Sequence, residues 1–187
     1  MAGHAHLEHG GDKRTALLIS VLALCLALVE TGANSSQTEA FTRNVEAANL
    51  WSFFQARTIR QTTVRTATEE AELTRLGEAD GAVRGAIEAQ QKAWRDTAAR
   101  WESEPDTGEG RRELTERARA AEAARERAMA RYHLYEYSAA AFQVAIVVAS
   151  SSVVVGVPLL AEGGVLLGVL GLALGALGWL APGAVHL

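Results

Sequence analysis

Residues 16–61 read ALLISVLALCLALVETGANSSQTEAFTRNVEAANLWSFFQARTIRQ, an apolar run that passes into polar sequence without a stop signal. Residues 16–29 are apolar except for Ser20, and residues 30–34 mark the change to polar sequence. After residue 34 the stretch contains no proline and no glycine, which favours one continuous helix. The stretch therefore predicts a membrane anchor that projects a helical arm from the bilayer.

Three apolar runs have the length of a membrane-spanning helix. With its immediate neighbours the first run has about 19 residues, enough for a hydrocarbon core of ~30 Å at a rise of 1.5 Å per residue. We predict spanning helices at residues 15–33, 139–161 and 164–182, so that the lipid bilayer is a partner of the chain. Pro158 falls near the end of the second span, and residues 162–164 are expected to form a tight turn before the third.

The first run could instead be a cleaved signal peptide, because Lys13 and Arg14 precede it and small residues follow it. Three features oppose that interpretation. The cationic pair comes late in the chain, Glu30 lies at the end of the run, and residues 32–34 make a poor cleavage site. We therefore predict a retained helix.

The charged residues are concentrated between the apolar ends of the chain. Residues 35–138 hold all but two of the 18 basic residues and all but four of the 22 acidic ones. The two signs are finely mixed, so the segment lacks the basic excess of a nucleic-acid-binding surface. Prolines, aromatic residues and β-branched residues are sparse there, which indicates an all-α protein. The single cysteine, Cys25, excludes a disulfide framework within one chain.

Residues 34–138 are predicted to form a long helical hairpin outside the membrane. A straight helix from residue 34 to residue 101 would be ~100 Å long, whereas the returning segment 111–138 spans only ~42 Å. A predicted bend at residues 77–81 removes this mismatch, because it lets the following helix fold back. Residues 102–110 contain Pro105 and two glycines and form the predicted turn.

A heptad pattern in the same segment suggests coiled-coil-like packing. Its predicted core positions are Leu73, Leu76, Val83, Ile87, Trp94 and Trp101. Asp80 and Gln90 interrupt the repeat, so the pattern predicts a short coiled-coil contact at most.

The arm after the first span carries amides and arginines between aromatic residues. The candidates for partner binding or for fixing helix register are Asn49, Trp51, Gln55, Arg57 and Arg60. One interpretation is that neighbouring helices satisfy these side chains, and the alternative is a functional pocket built from all five.

The amino-terminal segment, residues 1–14, is polar and is predicted to be a flexible tail. His4, His6 and His9 are candidate metal ligands because imidazoles at this spacing can bind a divalent cation. The alternative is a solvated tail without a structural role, since nothing downstream supplies a rigid set of supporting residues.

The third apolar run carries a regular row of glycines. This glycine face comprises Gly164, Gly168, Gly171, Gly175 and Gly178, spaced alternately by four and three residues. Such a row lets another helix approach closely. The partner helix could belong to the same chain or to an identical one, and the sequence leaves both open.

Residues 48–61, ANLWSFFQARTIRQ, together with residues 32–34 and 131–137, resemble a bacterial family of unknown function, DUF4337. The resemblance extends to the histidine-bearing tail and to the plan of three membrane helices, so it covers nearly the whole chain. It implies a membrane architecture and supplies no catalytic residue.

No phosphate-binding glycine loop, serine elbow, zinc-protease motif or paired-cysteine motif occurs in the chain. We therefore expect no enzymatic activity and no cofactor. The expected function is structural or scaffolding, as a homo-oligomer or as a subunit of a larger membrane complex. The alternative is a channel or transport accessory protein, with a pore lined by the serines at residues 150–152.

The expected location is the bacterial inner membrane, as a multi-pass protein. Lys13 and Arg14 favour a cytoplasmic amino terminus, whereas the arginines before residue 132 favour a cytoplasmic middle segment. Long loops cross membranes largely regardless of their charge, so we give the short amino-terminal segment more weight.

Overall fold

The computed structural model describes residues 5–184, and it describes side chains from Lys13 to Gly183. Within this range the chain forms helices and no strand. The helices are α1 (Ala5–Gly77), α2 (Gly81–Glu102), α3 (Arg111–Val155), α4 (Pro158–Leu180) and a short 3-10 helix at Pro182–Ala184. The predicted all-α class is confirmed.

The chain divides into two compact units. One unit, here called the apolar unit, takes Met1–Phe41 and Ala124–Leu187 and so contains the start of α1, the end of α3 and all of α4. The other, here called the charged unit, is Thr42–Ala123 and contains the rest of α1, all of α2 and the start of α3.

Helices α1, α3 and α4 are each long and apolar enough to cross a membrane. In the apolar unit they meet around Leu22, Phe142 and Ala145, with Cys25 and Val29 packed against this core. In the most apolar 18-residue segment of each of these helices, at most 33% is buried inside the structure. Most of their apolar surface therefore faces outward.

The connection between α3 and α4 does not lie at residues 162–164, where the sequence predicts it. Helix α3 ends at Val155, and Gly156 adopts a left-handed conformation with φ of 71°. The N–H of Gly156 donates to the carbonyl of Ser152 at 2.9 Å, which closes the last turn of the helix. Pro158 then begins α4, because a proline in the first turn lacks only an N–H that would be unpaired there. The third apolar helix is therefore Pro158–Leu180, and the predicted second and third spans, 139–161 and 164–182, are corrected accordingly.

Helix α1 begins at Ala5, inside the segment predicted to be a flexible tail. Residues 5–14 contain no proline, so every residue there keeps the N–H that a helix needs. Of the histidine candidates, His4 lies outside the described residues, and the side chains of His6 and His9 are not described.

The core of the charged unit forms where α1 packs against the start of α3. Its buried residues are Ala47, Leu50, Leu114, Ala118 and Ala121, with Trp51 and Phe54 packed against them. Leu114 and Ala118 are fully buried. Small alanine side chains let the two helices approach closely here.

Helix α2 folds back along α1 after a break between Gly77 and Gly81, within the segment where the glycines predict a bend. The carboxylate of Asp80 caps α2 by accepting from the N–H groups of Ala82 and Val83. Arg75 on α1 pairs with Glu88 on α2 at 2.9 Å. These contacts hold the two helices as a hairpin within the charged unit.

The predicted heptad matches the contact between α1 and α2 only in part, since Ile87, Trp94 and Trp101 of α2 are partly buried. Leu73, Leu76 and Val83 are exposed by 73%, 68% and 43%. The buried residues of this contact are Gln61, Gln91 and Ala98. Both glutamines donate to backbone carbonyls of the opposite helix, so amide hydrogen bonds replace leucine packing.

Replacing Gly85 by alanine is expected to stabilise the charged unit by about 0.5–1 kcal/mol, because glycine costs conformational entropy inside a helix. A Cβ at this position in α2 would meet no atom within 4 Å. Urea unfolding of the full chain in mild detergent, followed by tryptophan fluorescence, measures the effect. The control is Gly108→Ala: Gly108 has φ of 67°, so alanine there should lower the free energy of unfolding by about 1–2 kcal/mol. A loss of stability in Gly85→Ala would contradict the expectation.

Candidate functional site

The glycine face of α4 packs against the other two helices of the apolar unit. A Cβ on Gly168 would lie 2.6 Å from Leu22 of α1, and one on Gly171 would lie 3.1 Å from the ring of Phe142 on α3. At Gly178 the nearest atoms belong to Leu134 and Tyr135, at 3.2 and 3.3 Å. Because these glycines have no side chains, they leave room for the close approach of helices from the same chain.

Gly164 and Gly175 complete this contact at two further levels. A Cβ on Gly164 would lie 3.1 Å from the backbone carbonyl oxygen of Ala145, and one on Gly175 would lie 3.2 Å from the hydroxyl of Ser138. All five glycines of the face thus meet atoms of α1 or α3.

A buried serine links α3 to α4 inside the apolar unit. Ser138 is fully buried, and its hydroxyl donates to the carbonyl of Gly171 at 2.6 Å. That carbonyl is reachable because Gly171 has no side chain to shield it. The sequence offered no signal for this bond beyond a lone serine at the start of an apolar run.

The five polar candidates of the arm do not converge on one pocket. Trp51 donates its indole N–H to Glu122 at 2.8 Å, and Arg57 pairs with Glu109 at 2.7 Å. Asn49, Gln55 and Arg60 are exposed on α1. The pocket interpretation has no geometric support among these side chains, whereas Trp51 and Arg57 do bind neighbouring elements.

Arg57 links α1 to the turn between α2 and α3 by ion pairs. Its side chain is only 9% exposed, and it lies 3.8 Å from Glu104 in addition to its bond with Glu109. Its guanidinium also lies over the ring of Phe53, with 5.6 Å from Cζ to the ring centroid. This burial and pairing indicate a structural role for Arg57.

A second polar group lies where α1 meets the end of α2 and the start of α3. Gln61 donates to the carbonyl of Ala98 at 3.1 Å and accepts from Arg111 at 2.7 Å. Arg111 also pairs with Glu102 at 2.9 Å. One glutamine thus bonds to groups from both α2 and α3, which fixes their positions on α1.

Replacing Arg57 by methionine is expected to lower the free energy of unfolding by about 1–3 kcal/mol, since Arg57 has two carboxylate partners in a buried position. The loss stays below that of a fully buried pair because Glu109 is half exposed and remains solvated. Arg60→Met is the matched control: Arg60 is exposed three residues further along α1, and its loss should change stability by less than about 0.5 kcal/mol. Urea unfolding in detergent compares the two, and equal effects would contradict a structural role for Arg57.

Two carboxylates of the charged unit have lowered pKa values. Hydrogen bonds from Arg75 and then from Gln91 lower the pKa of Glu72 from 4.5 to about 2. Hydrogen bonds from the hydroxyl of Ser103 and from backbone N–H groups lower the pKa of Glu113. Each carboxylate is therefore bound more strongly in its ionised form than in its neutral form.

Acid is expected to loosen the contact between α1 and α2. Because the pKa of Glu72 is lowered on folding, its contribution to stability is complete above pH 4.5 and is lost as the pH falls towards 2. Circular dichroism of the full chain should show a loss of helix in this range, and part of that loss should be absent in Glu72→Gln. Glu69→Gln is the control, since the side chain of Glu69 makes no polar contact within the described residues. Identical titrations of all three proteins would refute the role of Glu72.

The described side chains do not bring together three residues that could hold a metal ion. Ser151, in the serine triplet of α3, donates its hydroxyl to the carbonyl of Val147 at 2.9 Å, one turn back in its own helix.

Comparison with curated proteins and with solved structures finds no match. Comparison with family models matches residues 11–181 to a domain of unknown function, DUF4337. This match covers all four α-helices apart from the first turns of α1. The resemblance in the residues of the arm is thereby confirmed, and the chain belongs to the DUF4337 family.

Proposed function

We propose that this chain is an integral protein of the bacterial inner membrane, with three spanning helices and a structural or scaffolding role. In this proposal the apolar unit anchors the chain, and the charged unit lies outside the bilayer. The chain acts as a homo-oligomer or as a subunit of a larger membrane complex, and its role requires no catalytic chemistry.

The exposed apolar surface of the apolar unit carries the proposal. Large side chains on the outer sides of the three helices are half exposed or more, among them Leu17, Leu24, Leu28, Val147, Val154, Leu166, Val169 and Leu172. A water-soluble protein rarely exposes so large a contiguous apolar surface. Lipid chains are as apolar as these side chains, so a bilayer would cover this surface and remove it from water.

Aromatic residues at one end of the apolar unit support the same proposal. Gly178 packs against Tyr135, which places Trp179 of α4 near the level of Tyr137 on α3. Trp179 is 75% exposed and Tyr137 is 50% exposed. Exposed aromatic rings of this kind favour the boundary between lipid and water. Helix α4 has 23 residues, about 34 Å, which matches a hydrocarbon core of ~30 Å.

Membrane integration is tested by washing membranes from expressing cells with alkaline carbonate. The full chain should stay in the membrane pellet and be released only by detergent. Recovery in the soluble fraction, or a mature terminus at Asn34 or Ser35 after cleavage of a signal peptide, would overturn the proposal.

For orientation, we propose a cytoplasmic amino terminus with the charged unit on the opposite side, from the positive charges of Lys13 and Arg14. In a Cys25→Ala background, Arg60→Cys should react with a membrane-impermeant maleimide added to intact spheroplasts. Lys13→Cys should react only after the membrane is opened. The reverse result would invert the orientation and leave membrane integration untouched.

The scaffolding role and the alternative of a channel or transport accessory differ in conductance. Purified protein in liposomes should carry no ion current if its role is structural. A reproducible current that changes on Ser151→Leu would favour the channel. The mass of the complex extracted in mild detergent then separates a homo-oligomer from a larger assembly.

A further inference from the structure

The two halves of α2 differ in how they pack within the charged unit. In the first half, residues 81–90, only Ile87 is partly buried and every other residue is exposed. Both buried residues of the helix, Gln91 and Ala98, lie in the second half, as do its two tryptophans, which are partly buried. The close packing of α2 against its neighbours therefore begins at Gln91.

The second half of α2 is held by two other helices. Gln61 of α1 donates to the carbonyl of Ala98 and to the carboxylate of Glu102, both at 3.1 Å. Arg111 at the start of α3 pairs with the same carboxylate at 2.9 Å. The carboxyl end of α2 therefore cannot leave α1 without also breaking its contact with α3.

The first half of α2 has a much weaker connection to α1. Among the described residues, the polar contact between them is the ion pair of Arg75 with Glu88 at 2.9 Å. The side chain of Glu88 is 56% exposed, so water and dissolved ions weaken this pair. The other polar contacts of this half stay within the break, where Asp80 caps the helix and Arg84 donates to the carbonyl of Glu78.

Three glycines at this end of the hairpin have neither a packing nor a conformational reason to be glycine. A Cβ on Gly77, Gly81 or Gly85 would meet no atom within 4 Å, and none of the three has a positive φ. A glycine leaves the backbone freer than an alanine does and makes a helix less stable. The three glycines therefore weaken this end of α2 without improving its packing, unlike the glycine face of α4.

We propose that residues 78–90 form a hinged flap that opens away from α1 while residues 92–102 stay packed. Segments with few buried contacts open at a lower free energy than the rest of a protein. Gln91 sets the boundary of the flap, because it is 2% exposed and its amide is fully engaged. It donates to the carbonyl of Thr68 at 3.0 Å and to the carboxylate of Glu72 at 3.2 Å.

The flap responds to ionic strength. In the closed form Glu88 pairs with the guanidinium of Arg75, which also donates to both carboxylate oxygens of Glu72. Opening breaks the pair with Glu88 and leaves Arg75 and Glu72 accessible from the side where the flap lay. Salt screens an exposed ion pair, so higher ionic strength favours the open form. All of these residues belong to the charged unit, so the inference does not depend on the proposed membrane location.

Hydrogen exchange of the full chain in mild detergent, resolved to single amides, tests the flap. The amides of residues 85–90 should exchange with one common rate, at least about tenfold faster than those of residues 92–101. Raising the salt concentration from about 0.02 M to about 0.5 M should speed up only the first group, about two- to fivefold. One uniform rate along α2 would overturn the proposal. Fast exchange confined to the first turn of α2 would be ordinary fraying of a helix end and would also overturn it.

Two variants test the contacts that control the flap. Glu88→Gln should speed up exchange of residues 85–90 about two- to fivefold and remove its dependence on salt. Asp96→Asn is the matched control: it also removes one exposed carboxylate from α2, but the side chain of Asp96 makes no polar contact within the described residues. Equal effects of these two variants would refute the role of the ion pair.

Gln91→Leu tests the boundary of the flap. Without the amide, fast exchange should extend past residue 91, and residues 92–98 should exchange about fivefold faster or more. Residues of α4 should keep their rates, which shows that the chain is still folded. If the boundary stays at residue 91 in this variant, Gln91 does not set it and the proposal is wrong.

Discussion

Leucine in place of Gly171 is expected to destabilise the apolar unit by about 1–3 kcal/mol, the usual range for overpacking. A Cβ at this position already lies 3.1 Å from two atoms of the Phe142 ring, and Phe142 is fully buried. The ring cannot yield without disturbing Leu22 and Ala145, which share its core. The remaining carbons of leucine would force α4 away from α3 and lengthen the bond from Ser138 to the Gly171 carbonyl.

Thermal unfolding of the full chain in mild detergent, followed by circular dichroism, measures this loss. Ala173→Leu is the matched control: residue 173 is exposed on the same helix, so the same added bulk should have little effect. The oligomeric mass of Gly171→Leu should equal that of the unsubstituted chain, because the glycine face contacts helices of its own chain. A lower mass with unchanged stability would place the glycine face between chains.

The glycine face shows what spacing alone predicts and what it leaves open. Steps of four and three residues place Gly164, Gly168, Gly171, Gly175 and Gly178 on one side of a helix, and close packing of that side follows from the sequence. The identity of the partner does not follow. It depends on which helix has a complementary shape, such as Phe142 above Gly171.

The boundary between the second and third apolar helices was predicted wrongly because two segments there can break a helix. Residues 162–164 contain two glycines, and residues 156–158 contain one glycine and Pro158. The segment 156–158 carries the stronger signal, because a glycine favours the end of one helix and a proline favours the start of the next. In the structure Gly164 lies inside α4, against the carbonyl of Ala145.

In the charged unit, glycine content located the break near Gly77, but apolar spacing misplaced the α1 side of the contact between α1 and α2. Leu73 and Leu76 fit a heptad and yet are exposed. The contact is made by Gln61 and Gln91, whose amides bond to carbonyls of the facing helix. A search for apolar periodicity assigns such glutamines to the surface, so it misses their part in this contact.

The polar candidates on α1 diverge for a geometric reason. Successive residues of a helix point 100° apart, so Asn49, Trp51 and Arg57 cannot share a pocket unless other elements surround the helix. Only the folded chain shows that α3 meets Trp51 and that the turn after α2 meets Arg57. The sequence therefore identified only some of the residues that bind neighbouring elements, because the positions of those elements do not follow from the sequence.

Alanine in place of Gly110 is expected to have the largest effect in the charged unit, a loss of about 2–3 kcal/mol. Gly110 is buried at the start of α3, and its carbonyl accepts from the N–H of Leu114 at 2.9 Å. A Cβ there would overlap the backbone N of Glu104 and the carboxylate of Glu113, and it would lie 2.7 Å from Cα of Ser103. Two of these three obstacles are backbone atoms, so no change of side-chain rotamer makes room for the methyl group.

The methyl group would also break the bonds that close the turn. The Glu113 carboxylate accepts from the hydroxyl of Ser103 at 2.7 Å and from the N–H of Glu104 at 3.2 Å, and these bonds cross over Gly110. Hydrogen exchange of the full chain in detergent should therefore speed up in the turn and at the end of α2, while α4 stays protected. Gly85→Ala makes the same chemical change where space is open and should slow exchange in α2. If Gly110→Ala and Gly85→Ala changed stability in the same direction, the close approach of the turn to Gly110 would be disproved.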